Sequence, residues 1–217
     1  MSDFTARRVM MVDTQVRPSD VTKFPIIDAM LDVPRENFVP RDRREAAYVD
    51  GNLPLSKGRV LLEPRTLAKM LDAVDIQNDD LVLDIGSGLG YSAAVIAQFA
   101  EAVVAAESDE DLSEESQTAL SDLGADNVIV HAGPLADGVP EHGPYDVITI
   151  QGGVETVPGG IIDQLKEGGR IAALFMDGAL GEVRLGHKID GQMYWRLAFN
   201  ATAPVLPGFA KERAFAL

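Results

Sequence analysis

The sequence predicts an α/β fold built on a doubly wound, mostly parallel sheet of the Rossmann-like type. From about residue 80 onward, apolar runs of strand length alternate with segments of helical character, which is the pattern of parallel sheets. A turn with three glycines, Gly86-Ser87-Gly88-Leu89-Gly90, joins the first apolar run to a helix. Two strand-like runs flank Asp190-Gly191, which predicts a final hairpin and an antiparallel C-terminal edge.

The first part of the chain, residues 1-75, is expected to be a helical and irregular N-terminal segment. Residues 24–31 are apolar enough for one helix, and residues 67–74 place their apolar side chains on one helical face. Residues 53–59 are rich in turn formers and predict a loop. We expect this segment to pack on an α/β domain of residues 76-217, so that the two parts form one compact unit.

The α/β part is predicted element by element from apolar runs and their boundaries. Its strands are expected at residues 81–83, 102–106, 127–130, 146–150 and 170–175, and its hairpin strands at 182–189 and 192–199. Its helices are expected at residues 91–100, 112–123 and 161–165.

Composition excludes several classes of function. The chain has 217 residues, of which 46% are hydrophobic, and its net charge of -15 disfavours nucleic acid and anionic membranes as partners. It has no cysteine, and its three histidines are far apart in sequence, so we expect no metal site. The sequence shows neither a signal-peptide stretch nor an apolar run long enough for a membrane span, and we expect a cytoplasmic protein.

An acid in front of the glycine turn points to the chemistry of the ligand. Asp84 stands two residues before Gly86, where a carboxylate suits a cationic group better than a pyrophosphate. S-adenosylmethionine carries an ammonium and a sulfonium, so it is the expected cofactor. A nicotinamide cofactor is the main rival, but its G-x-G-x-x-G pattern is broken here because the third glycine comes one residue early and Tyr91 takes the last position.

The ends of the other predicted strands add further candidates. Glu107 follows the second strand about 20 residues after the turn, which is the usual position of an acid that binds ribose hydroxyls. Parallel strands end at one edge of the sheet, where ligands bind. The residues predicted to bind the cofactor are Asp84, Gly86, Ser87, Gly88, Gly90, Tyr91, Glu107, Ser108, Pro134, Leu135 and Gln151.

Several segments carry motifs that are similar to those of one family. They are residues 30–40, 47–50, 53–55, 82–97, 143–148 and 164–170, the last similar to a Leu-Lys-x-Gly-Gly-Arg turn. Over residues 16–175 the chain resembles the protein-L-isoaspartate O-methyltransferases. The resemblance implies a Rossmann-like methyltransferase fold and methyl transfer from S-adenosylmethionine to an isoaspartyl carboxylate, as protein repair. It also implies a protein or peptide substrate with a free carboxylate.

Two departures from the family pattern concern the predicted site. The family's Gln-Thr-Ile-Ser-Gln-Pro, whose serine lies at the reaction centre, reads Arg59-Val60-Leu61-Leu62-Glu63-Pro64 here, so Leu62 stands at the serine position and no catalytic residue is assigned. The family's Gly-Asp-Gly is replaced by Gly133-Pro134-Leu135. Lys57 and Arg59 bring positive charge to this loop. Arg59 is a candidate for binding the substrate carboxylate, and its alternative role is that of a solvated loop cation.

Two alternative functions remain open at this point. The chain could be a methyltransferase for a different substrate, with Leu61 and Leu62 lining an apolar pocket. It could also be a non-catalytic relative that binds the cofactor and serves as an interaction module. The sequence leaves the substrate and the oligomeric state open.

Overall fold

A seven-stranded sheet forms the centre of the protein in the computed structural model, which describes residues 3–56 and 58–211. The strands of the described residues are β1 (Leu53–Ser56), β2 (Arg59–Leu61), β3 (Leu81–Ile85), β4 (Ala102–Glu107), β5 (Val128–Ala132), β6 (Tyr145–Val154), β7 (Leu165–Asp177), β8 (Leu180–Ile189) and β9 (Gln192–Asn200). The α-helices are α1 (Phe4–Met11), α2 (Phe24–Asp32), α3 (Pro64–Val74), α4 (Tyr91–Ile96), α5 (Glu110–Leu123) and α6 (Gly159–Asp163).

The order of the strands creates a crevice at one edge of the sheet. The order is β5-β4-β3-β6-β7-β8-β9, in which β3 to β7 run parallel while β8 and β9 are antiparallel to their neighbours. The chain order reverses at β3, which has β4 on one side and β6 on the other. Ligands of such sheets bind at the carboxyl ends of the strands beside this reversal. The predicted fold class is confirmed.

Alternate residues of β3 pack on opposite faces of the sheet, because successive side chains of a strand point in opposite directions. Val82 joins the hydrophobic cluster formed with α2, α3, α4 and α5. Leu83 and Ile85 join a second cluster on the other face, with Leu135 and Phe209 from the loop after β5 and from the C-terminal segment. The turn after β3 is therefore held between two fully packed layers.

The N-terminal part contains more regular structure than its sequence predicts. Residues 53–56 and Arg59, predicted as parts of a loop, lie in the paired strands β1 and β2, so that prediction was wrong for these residues. Leu53 pairs with Leu61, and both side chains are buried, whereas Pro54 and Gly58 conceal the alternation in the sequence. Lys57 falls outside the described residues. Helix α3 begins at Pro64, three residues before the apolar face predicted over residues 67–74, and ends at Val74 as predicted.

Candidate functional site

The turn after β3 adopts a backbone conformation that favours glycine. Gly86 and Gly88 have φ angles of +76° and +59°, which L side chains rarely adopt. The amide of Gly86 donates to the carbonyl of Ala106 at 2.8 Å, which ties the turn to β4. A Cβ atom on Gly88 would lie 2.5 Å from Leu55 Cδ1 of β1. The β1–β2 hairpin therefore packs directly on the glycine turn.

Asp84 is fully buried at the end of β3 and is surrounded by hydrogen-bond donors. Ser92 Oγ donates to one of its oxygens at 2.5 Å. Thr149 Oγ1 and Gln151 Nε2 donate to the other, each at 2.7 Å. Burial raises the pKa of the Asp84 carboxyl, and these hydrogen bonds oppose that shift. The predicted candidates Asp84 and Gln151 thus form one network.

Glu107 lies at the end of β4, one strand away from Asp84. The amides of Gly88 and Ser108 donate to its two carboxylate oxygens, each at 2.8 Å. Arg59 of β2 forms a buried ion pair with it, with 2.5 Å between Arg59 Nη2 and Glu107 Oε2. Arg59 was predicted as a substrate ligand or a solvated cation, but it is only 3% exposed. The solvated alternative is wrong because the guanidinium faces inward.

A cavity of about 500 Å³ opens beyond the ends of β4 and β5. Ser108, Pro134 and Leu135 line it, together with Pro207 from the C-terminal segment. This volume lies within the range of sites for small ligands. The structure thus brings three of the predicted cofactor residues to one concave surface.

Other predicted residues lie inside the protein. Leu62 is 2% exposed and packs in the hydrophobic core, while its carbonyl accepts a hydrogen bond of 2.7 Å from Arg35 Nη2. The Tyr91 ring is buried, with the Arg35 guanidinium 4.7 Å from its centroid and Phe38 beside it. Gly90 is the N-cap residue of helix α4, with a φ of +92°. The Ser87 hydroxyl is buried and lacks a hydrogen-bond partner among the described residues.

Sequence reasoning missed four residues that shape the site. Thr149 could have been found, because it lies two residues before Gln151 on the same face of β6. Ser92 is the second residue of α4, directly after the glycine turn, where a serine is unremarkable in the sequence. Leu55 and Leu206 contact the glycine turn from distant parts of the chain, with Leu206 Cδ1 3.1 Å from a Cβ placed on Gly86. No local pattern predicts such contacts.

The parallel sheet, the glycine turn behind a buried acid and the acid at the end of β4 define the class: a Rossmann-like methyltransferase fold. The sequence profile of the family Protein-L-isoaspartate(D-aspartate) O-methyltransferase matches residues 8–182. The protein-L-isoaspartate O-methyltransferase of Opitutus terrae is 38% identical over 167 residues, which cover 77% of this chain and 72% of the relative. A relative from Roseiflexus castenholzii is 36% identical over 169 residues, 78% of this chain and 77% of its own.

Solved structures agree with this family. A protein-L-isoaspartate O-methyltransferase superposes with a TM-score of 0.82 at 28% identity, covering 93% of this chain and 66% of that chain. A protein from Plasmodium falciparum, solved with S-adenosyl-L-homocysteine, shares the fold, with a TM-score of 0.79 at 18% identity over 95% of this chain and 99% of its own. The chain belongs to the protein-L-isoaspartate O-methyltransferase family. The predicted methyltransferase class and its methyl donor, S-adenosylmethionine, are confirmed.

The residue types at the crevice suit S-adenosylmethionine chemically, but part of the space in the crevice is already occupied. Asp84, Glu107 and the glycine turn supply the acids and the close backbone approach, and the cavity beside Pro134 is open. Arg59, however, lies over Gly86.

Among the described residues no helix has the length and apolar character needed to cross a bilayer.

Proposed function

We propose that this methyltransferase transfers the methyl group of S-adenosylmethionine to the free carboxylate of isoaspartyl residues in proteins or peptides. The observation that carries the proposal is the meeting of Asp84, the glycine turn and Glu107 at the sheet edge of a family member. When bound, the cofactor supplies a methyl group on a positively charged sulfur. We assign Asp84 and Gln151 to its methionine side and Glu107 to its ribose hydroxyls. The cavity lined by Pro134 would take the adenine.

Methyl transfer to a carboxylate requires little acid–base catalysis. A substrate carboxylate has a pKa near 4 and is already ionised at about pH 7, so its attack on the methyl group requires no general base. Catalysis would come from holding the carboxylate and the sulfur in line and from excluding water. The position of the β1–β2 hairpin supports the exclusion of water, because Leu55 already lies against Gly88.

The test measures transfer of a radiolabelled methyl group to an isoaspartyl peptide, with the aspartyl peptide of the same sequence as control. We expect label only in the isoaspartyl peptide, and loss of label in Asp84→Asn. Asp111→Asn is a matched control, because Asp111 is exposed on α5. Calorimetric titration with S-adenosylhomocysteine accompanies the assay. Binding of NAD in place of S-adenosylhomocysteine would overturn the proposal.

A second candidate is methyl transfer to another substrate. It is favoured by the core position of Leu62, which gives the family serine position neither a hydroxyl nor exposure. The same assay separates the two candidates: binding of S-adenosylhomocysteine without label in the isoaspartyl peptide would support the second.

We also propose that the protein has no nucleic-acid partner, that it works in the cytoplasm, and that residues 1-75 and 76-217 act as one compact unit. The net charge of -15 supports the first point, since phosphate backbones are repelled. The hydrophobic cluster shared by α2, α3 and β3 supports the last. Retention on immobilised duplex DNA at physiological salt would contradict the first point.

A further inference from the structure

The ion pair between Arg59 and Glu107 occupies the part of the crevice assigned to ribose. Arg59 is 3% exposed and Glu107 is fully buried. Arg59 Nη2 lies 2.5 Å from Glu107 Oε2, and Arg59 Nε lies 3.3 Å from Oε1, so the guanidinium spans both carboxylate oxygens. This is the bidentate arrangement in which arginine binds carboxylates most strongly.

The carboxylate of Glu107 has no acceptor position left for a ligand. Besides Arg59, the backbone amides of Gly88, Ser108 and Asp109 donate to it at 2.8, 2.8 and 3.1 Å. A carboxylate offers about four lone-pair sites. The three amides belong to the fold itself, whereas Arg59 reaches in from a separate hairpin. Ribose hydroxyls can therefore donate to Glu107 only after the guanidinium has left.

The same guanidinium fills the space that the glycine turn leaves for a ligand. Arg59 Nη2 and Nη1 lie 3.0 and 3.3 Å from a Cβ placed on Gly86. Nη1 is buried and has no hydrogen-bond partner among the described residues. A buried donor without a partner is costly, so this pairing is weaker than one in which every N–H is satisfied. The arrangement is therefore suited to displacement.

The hairpin that carries Arg59 contacts the site through Ser56 and Leu55, and Arg43 Nη1 donates to its Pro54 carbonyl at 2.9 Å. Ser56 Oγ donates to Asp109 Oδ2 at 3.1 Å, and Leu55 lies against Gly88. Both residues belong to β1, which pairs only with β2 in the described structure. Leu53 and Leu61 anchor the hairpin in the hydrophobic core, so the movement that frees Glu107 is that of the long Arg59 side chain and leaves the strands in place.

We propose that Arg59 is an internal competitor of the cofactor. Its guanidinium holds the ribose-binding carboxylate of Glu107, and the cofactor binds only to molecules in which the Arg59 side chain has moved away from Glu107. This inference rests on the proposed function, because it assigns Glu107 to the ribose. It makes Arg59 a residue that sets cofactor affinity, in place of the two roles considered from the sequence, a substrate ligand or a solvated cation.

The test is calorimetric titration of the full chain with S-adenosylhomocysteine, which requires no turnover. If the competent population of the wild type is about 10% or less, Arg59→Gln should bind about tenfold tighter or more. Arg17→Gln is the matched control, because Arg17 pairs with Asp13 on the surface. It should bind like the wild type.

Arg59→Lys is a second variant, so that the test does not depend on Arg59→Gln alone. Thermal unfolding shows whether each variant is folded. A lysine keeps the charge but lacks the planar fork, so its affinity should fall between those of the wild type and Arg59→Gln. Equal affinity of the wild type and both variants would contradict the role of Arg59 as a competitor but would leave the proposed function intact. Absence of binding in every variant would overturn both.

Discussion

Leu62 stands at the position of the family's serine, and in this protein that position lies in the hydrophobic core. Its side chain packs among buried apolar residues, and its carbonyl accepts from Arg35, which also donates from Nε to the carbonyl of Ala47 at 2.7 Å. The residue therefore contributes to stability, and a hydroxyl at this position would have no solvent around it.

Restoring the family residue by Leu62→Ser should destabilise the protein. We expect a loss of about 2–5 kcal/mol in the free energy of unfolding, because a buried leucine is replaced by a smaller and polar side chain. Urea denaturation measures it. Val60→Thr is the control, with a smaller loss because Val60 is only half-buried. Equal midpoints for Leu62→Ser and the wild type would contradict the core role of Leu62.

For individual residues, the separation of contacting partners along the chain decides what the sequence can predict about the site. Asp84 and the glycines were predictable, because one local pattern of strand, acid and turn fixes their backbone and chemistry. The pairing of Arg59 with Glu107 was not, since the partners lie 48 residues apart. The sequence assigns Glu107 to ribose hydroxyls and Arg59 to a substrate carboxylate or to solvent, so neither pattern indicates the other residue as its partner. Only the tertiary fold brings them together.

Among the elements, strands of the large sheet were predictable and the β1–β2 hairpin was not. Strands β3 and β4 are short apolar runs bounded by turns, and both lie where their sequences indicate. Strand β6 is longer than predicted because Gly152 and Gly153 continue it. These glycines admit the C-terminal segment: a Cβ on Gly152 would lie 2.5 Å from Leu206.

Strand β8 carries a group that should make stability depend on pH. Burial lowers the pKa of His187, and the nearby Arg196 and Arg170 lower it further. The unfolded chain then takes up a proton near pH 6.5 while the folded protein does so only at lower pH. Stability associated with His187 is thus present above about pH 6.5 and is lost as the pH falls through the folded-state pKa.

His187→Gln should remove this dependence. Melting temperatures of the variant and the wild type, measured between about pH 7.5 and pH 5, should diverge below about pH 6.5, with the wild type falling more steeply. Other titrating groups are common to both proteins and cancel in the difference. Parallel curves for the two proteins would show that His187 is not the group responsible.

On the scale of the whole molecule, the net charge of -15 opposes the compact state. Helix α5 concentrates part of it, because its first two residues, Glu110 and Asp111, are acidic. Repulsion between exposed charges is screened by salt, with a Debye length that falls to about 10 Å at 0.1 M. Dissolved ions should therefore stabilise this protein.

We expect the melting temperature to rise by about 2–4 °C when sodium chloride is increased from about 20 mM to about 200 mM, which corresponds to about 1 kcal/mol. Scanning calorimetry measures the rise. Potassium chloride at equal ionic strength should give the same result, because screening does not depend on the identity of a monovalent cation. A flat or falling melting temperature would contradict the repulsion.

The C-terminal segment completes the crevice from the far end of the chain. Leu206 covers Gly86 and Gly152, its amide donates to the carbonyl of Gly153 at 2.9 Å, and Asn52 Nδ2 donates to the carbonyl of Thr202 at 2.6 Å. A nascent chain on the ribosome lacks this cover until residue 206 has emerged. The finished crevice can therefore capture a ligand only after β3 to β9 and Leu206 have all been synthesised and have packed together.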